Sequence, residues 1–198
     1  MSHRGASSVS GRENRELKSS RVGSGFLVAV MATLMLGACA DEAAPGYPAG
    51  PYGSAVGSTL DNYTLVDLEG ASVSVDDLRT TPVALFYLTA TWCFTCGPET
   101  AWLNEQLPSR PEVSANAIVF QNRDYAAPGP EDGVYFRDTN EPVFPVLVDS
   151  AQEFSGDVTP DVIPLNLVVR TDTMEIVHRS FGFDPDTLDA ALRTALGE

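Results

Sequence analysis

The sequence predicts an α/β sandwich, and three features carry that expectation. Pro82-Val-Ala-Leu-Phe-Tyr-Leu88 is a continuous apolar run of strand length, as expected for a central strand buried on both faces. A helix is expected to follow it through Leu107, and then a further strand, Ser114–Gln121. Near the end, two apolar runs separated by Arg170–Asp172 precede a segment with Leu188, Leu192 and Leu196 on one helical face.

The elements follow in order. Residues 1–38 hold five of the twelve basic residues, then the apolar run Gly25–Ala38, which is the arrangement of an export signal and short for a permanent membrane span. Residues 39–58 are rich in Pro and Gly and read as a flexible tether. The folded domain is expected over 59–198. Its first piece, Tyr63–Val75, alternates on both sides of Glu69-Gly70 and predicts a β-hairpin.

Residues 122–143 are polar and Gly/Pro-rich, and read as a long loop or insertion with room for a short helix. Phe144–Asp149 predicts a short extended piece and Ser150–Phe154 a helical turn. Ile163–Val169 and Thr173–Phe181 predict a second hairpin. Asp184-Pro185 opens the last helix, with Asp as N-cap and Pro at the first helical position.

Charge narrows the partners. Residues 39–198 carry seven cations against 25 acids, with no Lys after position 18. Such a body repels phosphate backbones and anionic headgroups, which argues against nucleic-acid binding. No nucleotide- or flavin-binding motif is present, so no cofactor is expected.

Three cysteines remain to be explained. Leu36-Gly37-Ala38-Cys39 resembles the bacterial lipobox, which implies cleavage before Cys39 and a lipid anchor on it; Ala40 is not the acidic residue that retains enterobacterial lipoproteins in the inner membrane. The alternative is a soluble secreted protein or a retained anchor. Cys93 and Cys96 are spaced by two residues. In an oxidising compartment that pair reads as a redox couple, and a zinc site would need more ligands than two thiols. Cys93 at the start of a helix has its thiolate favoured by free N–H groups and the dipole, and Cys96 one turn on is placed to resolve a mixed disulfide.

Trp92-Cys93-Phe94-Thr95-Cys96-Gly97-Pro98-Glu99 after an apolar strand resembles the thioredoxin superfamily motif, in particular its extracytoplasmic TlpA, ResA and redoxin-like branch. The resemblance covers roughly residues 60–196. It implies a three-layer α/β/α sandwich with an N-terminal β-hairpin and an insertion before the cis-proline strand. It also implies exchange with protein thiols, electrons from a protein dithiol, and a place on the extracytoplasmic side of the cell membrane or outer membrane.

By carry-over, Pro164 corresponds to the cis-proline and Ile163 lines the substrate groove. A proline opening a strand also has a plain structural reading, since it needs no ladder hydrogen bond there. Cytoplasmic thioredoxins carry a buried acid where Tyr87 stands here. ResA-like proteins implicate a glutamate three residues after the second cysteine, the spacing of Glu99. Glu99 therefore reads either as proton acceptor for the pair or as an ordinary acid in a first helical turn. Trp92 reads as docking surface or as core packing. Leu165-Asn166 departs from the Thr or Ser usual after the cis-proline, and Phe94-Thr95 leaves the redox direction open.

Two other chemistries fit the residues less well. A peroxiredoxin needs Pro-x-x-x-Thr-x-x-Cys around its nucleophile, and Ala90 and Cys93 stand at the two Thr positions. A Sco-like copper site would join two thiolates to His178, but places three residues between its cysteines.

Overall fold

The computed structural model describes residues 46–198. The export segment 1–38, the lipobox with Cys39 and residues 39–45 of the tether lie outside the described residues.

A seven-stranded mixed sheet organises the domain: β1 (Thr64–Val66), β2 (Ser72–Ser74), β3 (Val83–Ala90), β4 (Val113–Gln121), β5 (Val146–Val148), β6 (Leu165–Arg170) and β7 (Glu175–Phe181), in the spatial order β2-β1-β5-β4-β3-β6-β7. β3 runs parallel to β4, and β4 to β5; β6 pairs antiparallel with β3 and with β7. The helices are α1 (Cys96–Gln106), α2 (Pro130–Asn140), α3 (Glu153–Val158) and α4 (Pro185–Leu196). The expected sandwich is what forms.

β3 is buried at every position, as its unbroken apolar run requires. Its side chains alternate between two cores. Val83, Leu85 and Tyr87 face one containing Cys96 and Leu103 of α1, Phe136 of α2, and Leu188 and Leu192 of α4. Ala84, Phe86 and Leu88 face the other, with Phe154 and Val158 of α3, Leu60 and Tyr63. The third layer is thus α3 with the chain entering the domain.

That entering chain corrects one expectation. Residues 46–58 belong to the stretch read as a flexible tether, yet they are docked. The Tyr47 hydroxyl donates to the Leu60 carbonyl at 2.7 Å, and the Gly57 N–H donates to the Ile176 carbonyl at 2.8 Å. Tyr47 supplies apolar area that Pro and Gly lack and is half-buried against the core.

The first hairpin forms as expected, turned by Gly70 at φ +88° with the Asp67 carboxylate accepting from the N–H groups of Glu69 and Ala71. The stretch 122–143 is more ordered than a long loop. α2 starts at Pro130, the Asp132 carboxylate accepts from the Gly129 N–H at 2.9 Å, and Phe136 is buried. Gly133 lets α2 lie close on the sheet, because a Cβ there would meet Leu68 and Val148 side-chain atoms at 2.5 and 2.7 Å. The helical turn expected over 150–154 sits slightly later, as α3, where the buried Asp149 carboxylate accepts from the Ser155 N–H. At α4, Asp184 caps the N–H groups of Asp186 and Thr187, with Pro185 at the first position, as the sequence predicts.

Candidate active site

Strand β3 ends at Ala90 and the chain turns through Thr91–Thr95 into α1. Cys93 lies in that turn, with its N–H on the Ala90 carbonyl at 3.0 Å, and Cys96 is the first residue of α1. This adjusts the expected geometry: the first cysteine precedes the helix rather than occupying its first turn. The two sulfurs form a disulfide with Cα atoms 5.5 Å apart. Cys93 is half-buried, Cys96 fully buried, and Phe94 between them almost fully exposed at 96%. An incoming sulfur therefore has access to Cys93 and not to Cys96.

Beneath Cys96 the core is polar. The buried stripe of α1 is Cys96, Glu99, Thr100 and Leu103, the i, i+3, i+4, i+7 set that a helix turns toward a sheet. The Tyr87 hydroxyl donates to the Cys96 carbonyl at 2.7 Å, and Thr100 Oγ1 donates to the same oxygen at 3.1 Å. Glu99 is fully buried, and neither of its carboxyl oxygens has a hydrogen-bond partner. Burial pushes its pKa up to about 8, opposed by the side chain of Asn166, which is close enough to favour the ionised form without making a bond of normal geometry. Asn166 pairs with Tyr87 across β6 and β3, so the two side chains share a sheet face. Burial, with the Glu99 charge second, raises the Tyr87 phenol and keeps it protonated. Thr89 Oγ1 and Asn166 Oδ1 are also buried without partners, so a hydroxyl, an amide and a carboxyl in the buried part of the site retain unused hydrogen-bonding capacity.

The surface around Cys93 has two clefts. One, of about 300 Å³, is lined by Trp92, Cys93, Phe94, Thr95, Tyr125 and Ile163. The other, of about 460 Å³, runs from Trp92 and Cys93 to Arg123 and to Tyr135, Thr139 and Asn140 of α2. The Trp92 indole donates to Gln121 Oε1 at 3.2 Å, and its ring lies 5.3 Å from that of Tyr125.

Comparison with solved structures decides the fold. A thiol:disulfide interchange protein from Bacteroides sp. superposes with a TM-score of 0.60 at 18% identity, covering 73% of this chain and 91% of its own. A thioredoxin-like protein from Aeropyrum pernix gives 0.57 at 16% identity, covering 67% and 89%. The fold is thioredoxin-like.

By sequence, this thioredoxin-like chain is similar to the thiol-disulfide oxidoreductase ResA of Bacillus thuringiensis, 26% identical over 119 residues. That alignment covers 59% of this chain and 65% of ResA, so the chain spans just under two thirds of that relative's length. The thiol-disulfide oxidoreductase ResA of Bacillus cereus is 25% identical over 127 residues, covering 64% of this chain and 70% of its own. No family model matches the chain.

Within the thioredoxin-like domain, the structure brings Trp92, Cys93 and Ile163 to one cleft and puts Cys96 and Glu99 on one buried helix face. The Ile163–Pro164 peptide bond is cis. His178 lies on β7 opposite Val168, and among the described residues no three His, Cys, Asp or Glu side chains gather in a metal-binding group. Sequence reasoning did not anticipate Arg123, Tyr125 and Tyr135 beside Cys93, or Asn166 beside Glu99. The signal was present as aromatic residues and one arginine in an otherwise polar insertion, and as an amide where Thr or Ser is usual.

Proposed function

We propose that this protein is an extracytoplasmic thiol–disulfide oxidoreductase that exchanges the Cys93–Cys96 disulfide with protein thiols, working as a reductase of the ResA kind. The observation that carries it is the asymmetric pair: a reachable Cys93 between two clefts, bonded to a buried Cys96 above a buried, partnerless carboxyl.

In the reducing direction the Cys93 thiolate attacks one sulfur of a substrate disulfide and releases the other as a thiol. Cys96 then loses its proton and attacks Cys93, freeing the second substrate thiol and closing Cys93–Cys96. Two electrons pass from the protein dithiol to the substrate. Glu99 takes the proton from Cys96, and its raised pKa keeps it in the range where it both accepts and returns a proton near neutrality. Trp92 and Ile163 line the groove for an extended substrate, and the buried cis Pro164 sets the Ile163 backbone that faces it. Electrons return through a second protein dithiol.

The basic start, the apolar run and Leu36-Gly37-Ala38-Cys39 support export and a lipid anchor on Cys39, in the cell membrane or outer membrane, with residues 39–45 linking anchor to domain. The resemblance to the ResA branch supports the reducing direction.

The test is to equilibrate residues 40–198 against graded glutathione and dithiothreitol mixtures and follow the pair by mass after alkylation. A potential near that of thioredoxin, about −270 mV, or lower is expected, whereas about −120 mV would make the protein an oxidant. Failure to form a reversible intramolecular disulfide would end the oxidoreductase reading.

A further inference from the structure

Among the described residues the cations are seven arginines. Arg79, Arg110, Arg137, Arg170 and Arg193 each pair with a carboxylate, and Arg179 donates to the carbonyls of Ser54 and Val158. Arg123 alone has neither kind of partner. It is exposed in the larger cleft beside Cys93, where its guanidinium lies 4.3 Å from the centre of the Tyr135 ring and bonds the Tyr135 hydroxyl. Stacking on an aromatic face holds a guanidinium in place while leaving its other donors free. In a domain so rich in acids, a cation left without a carboxylate next to the reactive sulfur needs an explanation.

We propose that Arg123 is a specificity residue: it receives a carboxylate of the protein substrate close to the cysteine that exchanges with Cys93. The proposal rests on the oxidoreductase reading above and deepens it. The two clefts meet at Trp92, Cys93 and Phe94, so a substrate cysteine bonded to Cys93 has neighbours in both. The smaller cleft, with Trp92, Phe94, Tyr125 and Ile163, takes an apolar neighbour. The larger one, with the Arg123 guanidinium, the Thr139 hydroxyl and the Asn140 amide, takes an Asp or Glu on the other side. The acidic body favours substrates that are neutral or basic overall, so Arg123 selects a local feature against the general field. The exchange itself is unchanged: Cys93 attacks the substrate disulfide, one substrate thiol leaves, and Cys96 releases the other.

The test uses purified reduced protein and a set of cysteine peptides, each a mixed disulfide with 2-mercaptoethanol. The peptides carry Glu, Gln or Lys within two residues of the cysteine on either side. We expect reduction to be faster for Glu than for Lys by about fivefold, the size of one exposed charge pair. The ratio should shrink with added salt and fall to one or invert in Arg123→Glu, with Arg123→Gln between. Because the ratio is taken within each variant, a general loss of activity does not mimic the effect.

An unchanged Glu preference in Arg123→Glu, or equal rates for all peptides, overturns the specificity role and leaves the oxidoreductase reading standing. No exchange with any peptide sinks both. Glutathione disulfide, run alongside, separates the occupants: if it shows the Arg123-dependent gain and the peptides do not, the cleft takes a small anionic thiol and the assignment to protein substrates is wrong.

Discussion

Tyr87 on β3 donates its hydroxyl hydrogen bond to the carbonyl of Cys96 at 2.7 Å, tying the first residue of α1 to the central strand. The phenol stands where the cytoplasmic members of the thioredoxin superfamily, whose motif this sequence resembles, carry a buried acid, and its raised pKa keeps it a donor. In the proposed function, proton acceptance passes to Glu99, one turn further along the helix. Tyr87→Phe should lower stability by about 1 kcal/mol, the net worth of one buried hydrogen bond. The loss is limited because Thr100 still bonds the same carbonyl. Urea unfolding should show a lower midpoint at constant m-value.

Glu99 makes stability depend on pH in a definite direction. Its folded pKa of about 8 lies above the ordinary 4.5, so the folded protein holds a proton that the unfolded chain releases. The stabilisation is fully present below about pH 4.5, declines as pH rises toward 8, and does not change further above it. Glu99→Gln removes this dependence. Thermal unfolding of the oxidised proteins should show the variant gaining on the parent between pH 5 and about pH 8; parallel curves across that range would contradict the assignment.

In the proposed function the same carboxyl governs the rate. If Glu99 takes the Cys96 proton, Glu99→Gln should slow turnover by on the order of a hundredfold and remove a limb of the pH–rate profile centred near 8. A variant with normal turnover and an unaltered profile would reduce Glu99 to a structural acid.

Asn166 opposes the rise of the Glu99 pKa. Asn166→Leu, which keeps the branched outline and removes the amide, should move the midpoints in both stability and rate to higher pH. A shift downward would mean that desolvation does not dominate at Glu99.

The unequal burial of the two sulfurs predicts their order of reaction. With a peptide disulfide, Cys96→Ser should accumulate a mixed disulfide on Cys93, read as a mass adduct, while Cys93→Ser should give none and no turnover. An adduct trapped on Cys96 instead would reverse the assigned roles.

Much of this protein is legible along the chain because the relevant signals are local. An unbroken apolar run specifies a strand buried on both faces, an Asp-Pro pair specifies where α4 starts, and Cys-x-x-Cys after a strand specifies where sulfur chemistry sits. Glu99 was legible through the resemblance to ResA-like proteins, which implicates a glutamate three residues after the second cysteine; the structure puts positions 96, 99, 100 and 103 on one buried helix face. The docked segment at 46–58 was not, because Tyr47 in a Pro/Gly-rich stretch gains its burial only against surfaces made elsewhere in the chain.

The sequence by itself determined which residues are able to do redox chemistry and the order of elements that carry them. Tertiary structure alone decided that Cys96 is sealed while Cys93 is reachable, that Tyr87 and Asn166 meet around Glu99 from two strands, and that α2 brings Tyr135 alongside Arg123 next to the disulfide. The physical reason is that burial and charge neighbourhood belong to surfaces brought together over long separations: Asn166 lies 67 positions from Glu99 and acts on it only because β6 pairs with β3.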